Sequence, residues 1–297
     1  MSDFVQQQNS ICDFATSDSW VILSPIEQSI KMKIESVGTL LKDWDINIYR
    51  GVLTGCNEAF IIDSGKREEI LANCQTEDER QRTAELIRPI LRGRDIKRYG
   101  YVDNGLYLIN THNGVRGRIP RINIEDYPAV KAHLDQYWDR IATRADKGDT
   151  PYNLRNCAYL EDFSRPKIIW KRIGSILRFS FDNKGCLGLD STCFAAGEHI
   201  EYLCCVLNSL MGHYLLKDSP KTGTGDLLVS VQAIEPACIP YNALYERQLL
   251  TLLERQIANP SATTEKEIND IVFTMYGLSP IECDYVTRYI KLSQQSL

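Results

Sequence analysis

The sequence changes character near residue 242, and this change is the strongest constraint on the fold. Before it, short apolar runs typical of strands alternate with segments of helical periodicity, whereas after it only helical periodicity remains. Such a succession of segments predicts a mixed α/β domain followed by a helical extension. We therefore predict two parts, an α/β domain over residues 1–241 and a helical extension over 242–297.

Several helices are predicted from apolar spacing and from signals at their ends. Residues 26–42 carry apolar side chains near helical spacing, and 202–216 are strongly apolar. In 76–91, Thr76 is the predicted N-cap and Glu79 completes a capping box, with Pro89 ending or kinking the helix.

Further helices are predicted on both sides of the boundary. The segment 123–140 predicts an amphipathic helix that starts near Pro128 and turns Val130, Leu134 and the pair Tyr137 and Trp138 inward. ALYERQLLTLLERQIAN predicts another helix. TTEKEINDIVFTMYGLS predicts a helix with a threonine cap that ends at Gly277.

Strands are predicted in three places. Residues 46–52 and 59–62 predict two strands around the turn-rich TGCNE, where Gly51 and Gly55 supply backbone freedom. LRGRDIKRYGY predicts a loop that leads into a strand, and GLYLINTH a second strand. KIIWKR and ILRFSFD predict two short strands joined at Gly174.

The composition predicts a cytoplasmic globular protein. The 43% hydrophobic and 25% charged residues are ordinary for that class, and no apolar run approaches the roughly 20 residues that span a bilayer. The start, MSDFVQQQNSICDF, lacks the basic and apolar regions of a signal peptide. Ten cysteines are scattered without a CxxC pair, which favours reduced, mostly buried thiols over disulfides or a zinc site.

Charge is distributed unevenly along the chain. The net charge is −5, yet residues 80–121 hold ten basic and three acidic side chains, and 165–178 hold five basic and no acidic ones. Arginine suits phosphate oxygens and the O6/N7 edge of guanine, and lysine supplies a point charge. The basic middle therefore predicts contacts with double-stranded DNA, with solvated basic loops as the alternative. The predicted DNA-contacting residues are Arg92, Arg94, Lys97, Arg98, Arg116, Arg118, Lys167, Lys171, Arg172, Arg178 and, more weakly, Lys221 and Thr222 on a glycine-rich loop.

No catalytic or metal-binding residue is predicted. An adenine methyltransferase needs an Asp-or-Asn-Pro-Pro-aromatic tetrapeptide and a glycine-rich turn, and the nearest segment, Asp149–Tyr152, lacks the double proline. The glycine loops lack the P-loop spacing, and the four histidines lie far apart without a nucleophile beside them. Glu265–Glu267 lies on a predicted helix, which favours a solvated charged face over the metal-binding carboxylates of a nuclease.

Several segments in order resemble one known family. YRGVLTGCNEAFIID, IRPILRGRDIKRY, YPAVKAHLDQYWDRIATRADKGDTPYNLR, RPKIIWKRI, LDSTCF, LCCVLNSLMGHYLL and INDIVFTMYGLSPIE together cover about residues 20–290. They resemble the C-terminal specificity domain of TaqI-like restriction–modification enzymes and adenine-specific DNA methyltransferases.

The resemblance implies a target-recognition domain that docks in the DNA major groove. Its family-wide residues, here Gly55, Asn57–Phe60 and Arg92–Tyr99, would build the scaffold and hold phosphates. Gly51, Gly55 and Asn57 are the predicted residues of the structural loop. Bases would be read by more variable loops, such as 110–121 or 171–178. The partner would be an N6-adenine methyltransferase domain or subunit, with or without an endonuclease. S-adenosylmethionine would be bound by that partner and no cofactor by this chain. Since the catalytic part is missing, an excised fragment is favoured over a separate subunit.

Two other classes of function stay open at this point. A protein-interaction module could dock its basic face on an acidic partner surface, which the helical extension and the net negative charge allow. An enzyme could assemble a carboxylate or histidine cluster from distant segments, which a sequence alone does not reveal. Displacement by random duplex DNA would distinguish a phosphate-binding surface from a protein-docking one.

Overall fold

The computed structural model describes residues 23–295, in which strands and helices alternate up to Ile239 and only helices follow. The strands are β1 (Thr39–Leu40), β2 (Ile46–Arg50), β3 (Ile61–Asp63), β4 (Ile87–Leu91), β5 (Leu106–Ile109), β6 (Lys167–Lys171), β7 (Ile173–Gly174), β8 (Phe179–Asp182), β9 (Leu187–Gly188), β10 (Thr192–Gly197), β11 (Leu227–Leu228) and β12 (Cys238–Ile239). The helices are α1 (Pro25–Val37), α2 (Asn57–Phe60), α3 (Ser64–Ala72), α4 (Glu77–Leu86), α5 (Pro128–Asp135), α6 (Trp138–Ile141), α7 (Ile200–Asn208), α8 (Leu210–Leu215), α9 (Val231–Ile234), α10 (Ala243–Ala258), α11 (Ala262–Met275) and α12 (Pro280–Gln295). The predicted mixed α/β fold with C-terminal helices is confirmed.

A four-stranded antiparallel sheet in the order β2-β10-β6-β8 lies at the centre. Successive side chains of a strand point to opposite faces. On β6, Ile168 and Trp170 are buried in one hydrophobic core and Ile169 in another. On β10, Cys193 enters the first core and Phe194 the second. The sheet is therefore covered on both faces, which explains the nearly continuous apolar run of β6.

The first core lies between the central sheet and the helices. It contains Ile30 of α1, most of α7, and the buried faces of α10, α11 and α12, such as Leu249, Val272 and Val286. Helices from both sides of the predicted boundary at 241/242 thus share one core with the sheet. The boundary does not coincide with a break in packing.

The second core lies on the other face of the central sheet. A second four-stranded sheet, ordered β3-β5-β4-β9, and helix α5 contribute to it, together with Ile169 and Phe194 of the central sheet. Strands β4 and β9 pair in parallel, with Ile90 opposite Leu187, whereas the other pairs of this sheet are antiparallel. Two two-stranded ribbons, β1 with β12 and β11 with β7, complete the pairing.

Two predicted helices end earlier than their apolar spacing suggests. The first ends at Val37 rather than residue 42, because Gly38 packs against Cys238, whose backbone lies 2.8 Å from the position of an added Cβ. The second begins after the predicted N-cap Thr76, which is confirmed, but ends at Leu86. Residues 87–91 form strand β4, with Pro89 inside it, because proline and the residue before it favour extended backbone.

Other helix predictions are corrected in detail. Helix α5 starts at Pro128 as predicted but ends at Asp135, and Trp138, predicted inward, is 44% exposed. The apolar segment 202–216 forms two helices, because Ser209 is extended and caps α8 through the N–H of Gly212. The cap of α11 is Ser261 rather than a threonine. Gly277, at φ +63°, follows α11 as predicted.

Helix α12 is joined to α1 through the buried carboxylate of Glu282. It accepts hydrogen bonds from the Ser29 hydroxyl at 2.7 Å and from the Ser279 N–H at 2.6 Å, and pairs with the Lys33 ammonium at 2.5 Å. Burial alone would raise the pKa of Glu282, but these bonds lower it to about 2. The first and last helices of the described region are thus linked by charge as well as by apolar contact.

Glu282→Gln is expected to lower the free energy of unfolding at neutral pH by about 1.5–3 kcal/mol, because it removes hydrogen bonds to a charged acceptor. The folded-state pKa lies below the usual 4.5, so the wild-type contribution is present above that value and is lost as the pH falls towards about 2. Urea unfolding from pH 7 to 3 should show a shallower decline for the variant. Glu35→Gln, in an exposed pair with Lys31, is the control, and an equal loss there would contradict the interpretation.

The predictions about cysteines, membrane spans and a signal peptide are compared with the structure as follows. The nine cysteines within residues 23–295 are free thiols, five of them buried. In that part of the chain no helix has the length and apolar character to cross a membrane. The N-terminal stretch on which the signal-peptide prediction rests lies outside the described residues.

Candidate nucleic-acid interface

One end of the central sheet collects basic side chains. In an antiparallel sheet, the end of one strand adjoins the start of its neighbour. Strands β2 and β6 therefore end, and β10 and β8 begin, at the same end of the sheet. Arg50 and Lys171 are the last residues of β2 and β6, and Arg178 immediately precedes β8. The register between β6 and β8 brings Lys171 and Arg178 close together where the two strands separate.

The loop after β4 reaches the same end. Strand β4 pairs in parallel with β9, and beyond that pairing the N–H of Leu189 donates to the carbonyl of Leu91 at 2.9 Å. The Gly93 N–H then donates to the Ser191 hydroxyl at 3.2 Å. A Cβ on Gly93 would lie 2.8 Å from the Cγ of Lys171, so a larger residue at this position would require the Lys171 side chain to shift. Arg94, next in the chain, is thereby placed beside Lys171.

The glycine-rich loop 220–226 joins this group through the β7–β11 ribbon. Leu227 pairs with Gly174, and the Val229 N–H donates to the Arg172 carbonyl at 2.8 Å. A bridge between Lys221 and Leu227 closes the loop. Three basic segments that are far apart in sequence therefore meet. We call Arg94, Lys171, Arg172, Arg178 and Lys221 the basic end.

Within residues 23–295, none of the five cations of the basic end forms an ion pair with a described residue. Four of them are exposed and Arg172 is half-buried, with its Nε lacking a hydrogen-bond partner. The nearby Asp190 pairs with Arg50 at 3.8 Å, and Asp226 accepts from Thr224. An unpaired group of cations on a rigid sheet end suits a polyanion.

Lys167 is placed differently from its prediction as a DNA-contacting residue. It begins β6 at the opposite end of the sheet and is fully buried. Its ammonium pairs with the buried Asp182 and donates to the Phe163 carbonyl at 2.7 Å. Burial lowers the pKa of Lys167, and Asp182 opposes that shift. Trp170 of the same strand is also buried.

Arg92 and Arg98 are engaged within the chain. Arg92 donates from its backbone N–H and its guanidinium to the buried carboxylate of Asp95, at 2.8–3.0 Å. Arg98 pairs with Glu265 of α11 at 3.0 Å and donates to the Asn208 carbonyl at 2.7 Å. Both arginines therefore stabilise the loop and its packing. Their availability to phosphate is correspondingly reduced.

The remaining candidates are divided among three loops. Lys97 is exposed, with its ammonium 3.4 Å from the Arg94 carbonyl oxygen. The Thr222 hydroxyl lies 2.8 Å from that of Thr224. Arg116 is exposed on another loop, and Arg118 of that loop pairs with Glu161. Arg116 and Arg118 therefore lie outside the basic end.

The predicted scaffold loop is held by backbone contacts. Gly51 lies so close to the backbone of Gly188 and Leu189 that an added Cβ would lie 2.1 Å from the Leu189 carbonyl oxygen. Gly55 has φ +67°, and the Asn57 side chain accepts from the Thr54 hydroxyl at 2.5 Å. These three residues shape the loop that packs against the second core.

Sequence reasoning missed Arg144, which secures that same loop. Its buried guanidinium donates to the carbonyls of Thr54, Pro151 and Asn153, and stacks over the Phe60 ring at 4.2 Å. Burial lowers the pKa of Arg144 to about 10. The only available signal was a lone arginine in IATRADKGD, which does not distinguish it from an exposed one.

In the described part of the chain, no group of three or more histidine, cysteine or carboxylate side chains is placed to hold a metal ion. The buried histidines do not form a catalytic pair. Burial lowers the pKa of His213 to about 3, and Nδ1 of this residue lies 3.5 Å from the Gln294 amide.

No protein-family model matches the chain. Among solved structures, the type IIL restriction-modification enzyme MmeI, determined in complex with DNA, is similar with a TM-score of 0.60 at 10% sequence identity. The similarity covers 88% of this chain and 36% of the MmeI chain. The type IIG restriction endonuclease BpuSI gives a TM-score of 0.44 at 13% identity, over 86% of this chain and 34% of that one.

The chain thus has a fold also found in part of a restriction-modification enzyme, and it spans about a third of the length of these two proteins. Identity this low establishes the fold alone, since one fold serves many functions. The closer resemblance to TaqI-like specificity domains stays a prediction.

Proposed function

We propose that this chain is the sequence-specific DNA-recognition module of a restriction–modification or adenine-N6 DNA methyltransferase system. The observation that carries the proposal is the basic end, where Arg94, Lys171, Arg172, Arg178 and Lys221 meet without acidic partners in the described structure. The fold supports it, because MmeI, which shares that fold, was determined in complex with DNA.

In this proposal the basic end neutralises phosphates and so sets the register of the chain on the duplex. Such contacts position a protein without specifying sequence. The rigid sheet beneath them restricts where adjacent loops can reach into a groove. Base-edge contacts from those loops would then select the site.

The chemistry belongs to a partner in this proposal. An N6-adenine methyltransferase domain or subunit, with or without an endonuclease, would act on the adenine whose position is fixed by the binding of this module. S-adenosylmethionine would be held there, since this sequence lacks the glycine-rich turn and the aromatic tetrapeptide that the reaction needs. This part of the proposal rests on the resemblance to TaqI-like enzymes.

The test is the salt dependence of binding to a randomised duplex, followed by fluorescence anisotropy. If three to five phosphates are contacted, log K should fall with log salt at a slope of roughly −2.7 to −4.5. Unlabelled duplex should displace the probe, and an acidic protein at equal concentration should not. Absence of salt-dependent duplex binding, or displacement by the acidic protein alone, would favour the protein-interaction alternative.

A further inference from the structure

Residues 113–121 form a projecting hairpin with a fixed backbone. The N–H groups of Val115 and Ile119 each donate to the other's carbonyl at 2.9 Å. Gly114 has φ +73°, and an added Cβ there would lie 2.4 Å from the Ile119 carbonyl oxygen. Gly117 has φ +76° with open space around it. The hairpin is therefore closed at its base and free at its tip.

The base of the hairpin is attached to residues 148–156. The Asn113 side chain accepts from the Asp149 N–H at 2.9 Å and donates to the Asp149 carboxylate at 3.0 Å. It also donates to the Asn156 side chain. The Ile122 N–H donates to the His112 carbonyl at 3.1 Å. These contacts attach the base of the hairpin to the neighbouring segment.

The three arginines of the hairpin have different surroundings. Arg118 pairs with Glu161, and Arg121 pairs with Asp149 at 3.2 Å. Arg116 is exposed, and no ion pair or side-chain hydrogen bond links it to another described residue. Arg118 and Arg121 therefore brace the hairpin, and Arg116 carries the unengaged guanidinium.

A short chain of contacts links the hairpin to the basic end. Two residues before Glu161, the Tyr159 hydroxyl donates to the Arg50 carbonyl at 3.0 Å, and its ring stacks on Tyr49 at 4.1 Å. Arg50 pairs with Asp190, which precedes the Ser191 that bonds the Gly93 N–H. The hairpin is thus connected through a few residues to the end of the central sheet that carries the basic end.

The surface under Arg116 differs in chemistry from the basic end. Arg116 lines an open depression of about 580 Å³ that also includes Asn113, Arg121, Asp149 and Asn156. It offers hydrogen-bond acceptors as well as donors, whereas the five named cations of the basic end offer only donors. A mixed surface suits base edges, which present both kinds of group, better than it suits phosphate oxygens alone.

We infer that Arg116 reads a guanine of the recognition site in the major groove, as a specificity-determining residue. The inference rests on the proposed function. Its guanidinium presents a planar pair of N–H groups that matches the O6 and N7 of guanine, and the braced hairpin holds its backbone in place. The basic end supplies the phosphate contacts, so the hairpin is left to read the sequence.

The test is selection of bound duplexes from a randomised library at fixed salt, with sequencing, for the wild-type chain, Arg116→Ala, Arg116→Lys and the control Arg247→Ala on α10. Arg116→Ala should keep the rest of the selected motif but lose the preference for guanine at one position by about 5- to 150-fold. Arg116→Lys should restore only part of it, because lysine lacks the planar fork. The control should select the wild-type motif.

The other possible outcomes contradict either the inference about Arg116 or the proposed function. If Arg116→Ala weakens all sequences equally and reduces the salt slope by about 0.9, Arg116 binds a phosphate and does not read a base. An unchanged motif would also overturn the inference, as would a wild-type chain that binds duplex with a salt-dependent affinity but selects no motif. A wild-type chain that does not bind duplex at all would overturn the proposed function itself.

Discussion

Replacing Lys171, Arg172 and Arg178 together by glutamine is expected to reduce the affinity for random duplex roughly 100-fold at about 0.1 M salt and to lower the salt slope by about 2.7. These cations flank the point where β6 and β8 separate, and none has an ion-pair partner among the described residues. Each therefore has its full charge available for a phosphate. Fluorescence anisotropy across a salt series measures both quantities.

The matched control lies at the opposite end of the same sheet. Lys42 precedes β2, Lys184 follows β8, and Arg247 is next to Glu246, which contacts His199 after β10. All three are exposed and without an ion pair within residues 23–295. Glutamine at these positions changes the net charge equally but should leave the slope unchanged. Equal losses in the two triple variants would show that binding follows net charge and not the basic end.

Lys167→Met is expected to lower the free energy of unfolding by about 3–5 kcal/mol, because it leaves the buried carboxylate of Asp182 without its cation. Among the described residues, Asp182 would keep only the Tyr101 hydroxyl and the N–H groups of Lys184 and Cys186 as donors. Guanidinium unfolding measures the loss. At a temperature where the variant is folded, the salt slope for duplex binding should equal that of the wild type.

Two further variants distinguish this effect from a general loss of lysine. Lys266→Met removes an exposed cation paired with Asp270 on α11 and should cost less than about 1 kcal/mol. Adding Asp182→Asn to Lys167→Met should recover part of the stability, since it removes the unpaired charge. A Lys167→Met protein as stable as Lys266→Met would contradict the buried-pair interpretation.

Local sequence patterns predicted much of the fold. The apolar runs of β6 and β8, the N-cap at Thr76 and the glycine after α11 each depend on neighbours within a few residues. Local patterns did not predict where the helix after Thr76 gives way to strand β4, because that change is stabilised by pairing with β5 and β9.

The candidate site was predictable only as separate pieces. Each basic segment is visible in the sequence, but their meeting depends on sheet register and on the parallel pairing of β4 with β9. Which cations are free depends on distant partners: Arg98 pairs with Glu265, and Lys167 with Asp182. The lysine in KIIWKR looks like its neighbour Lys171 in sequence, yet one is buried and the other exposed.

The pairing of β2 with β10 has a consequence for biosynthesis. Arg50 pairs with Cys193, so about 140 residues must be translated between the two strands. At roughly 5–20 residues per second, β2 would wait on the order of 10 s for its partner after leaving the ribosome. During that interval most of the second sheet can form, since β3, β4 and β5 lie inside the intervening segment. Co-translational folding would then begin with the second four-stranded sheet and end with the central sheet.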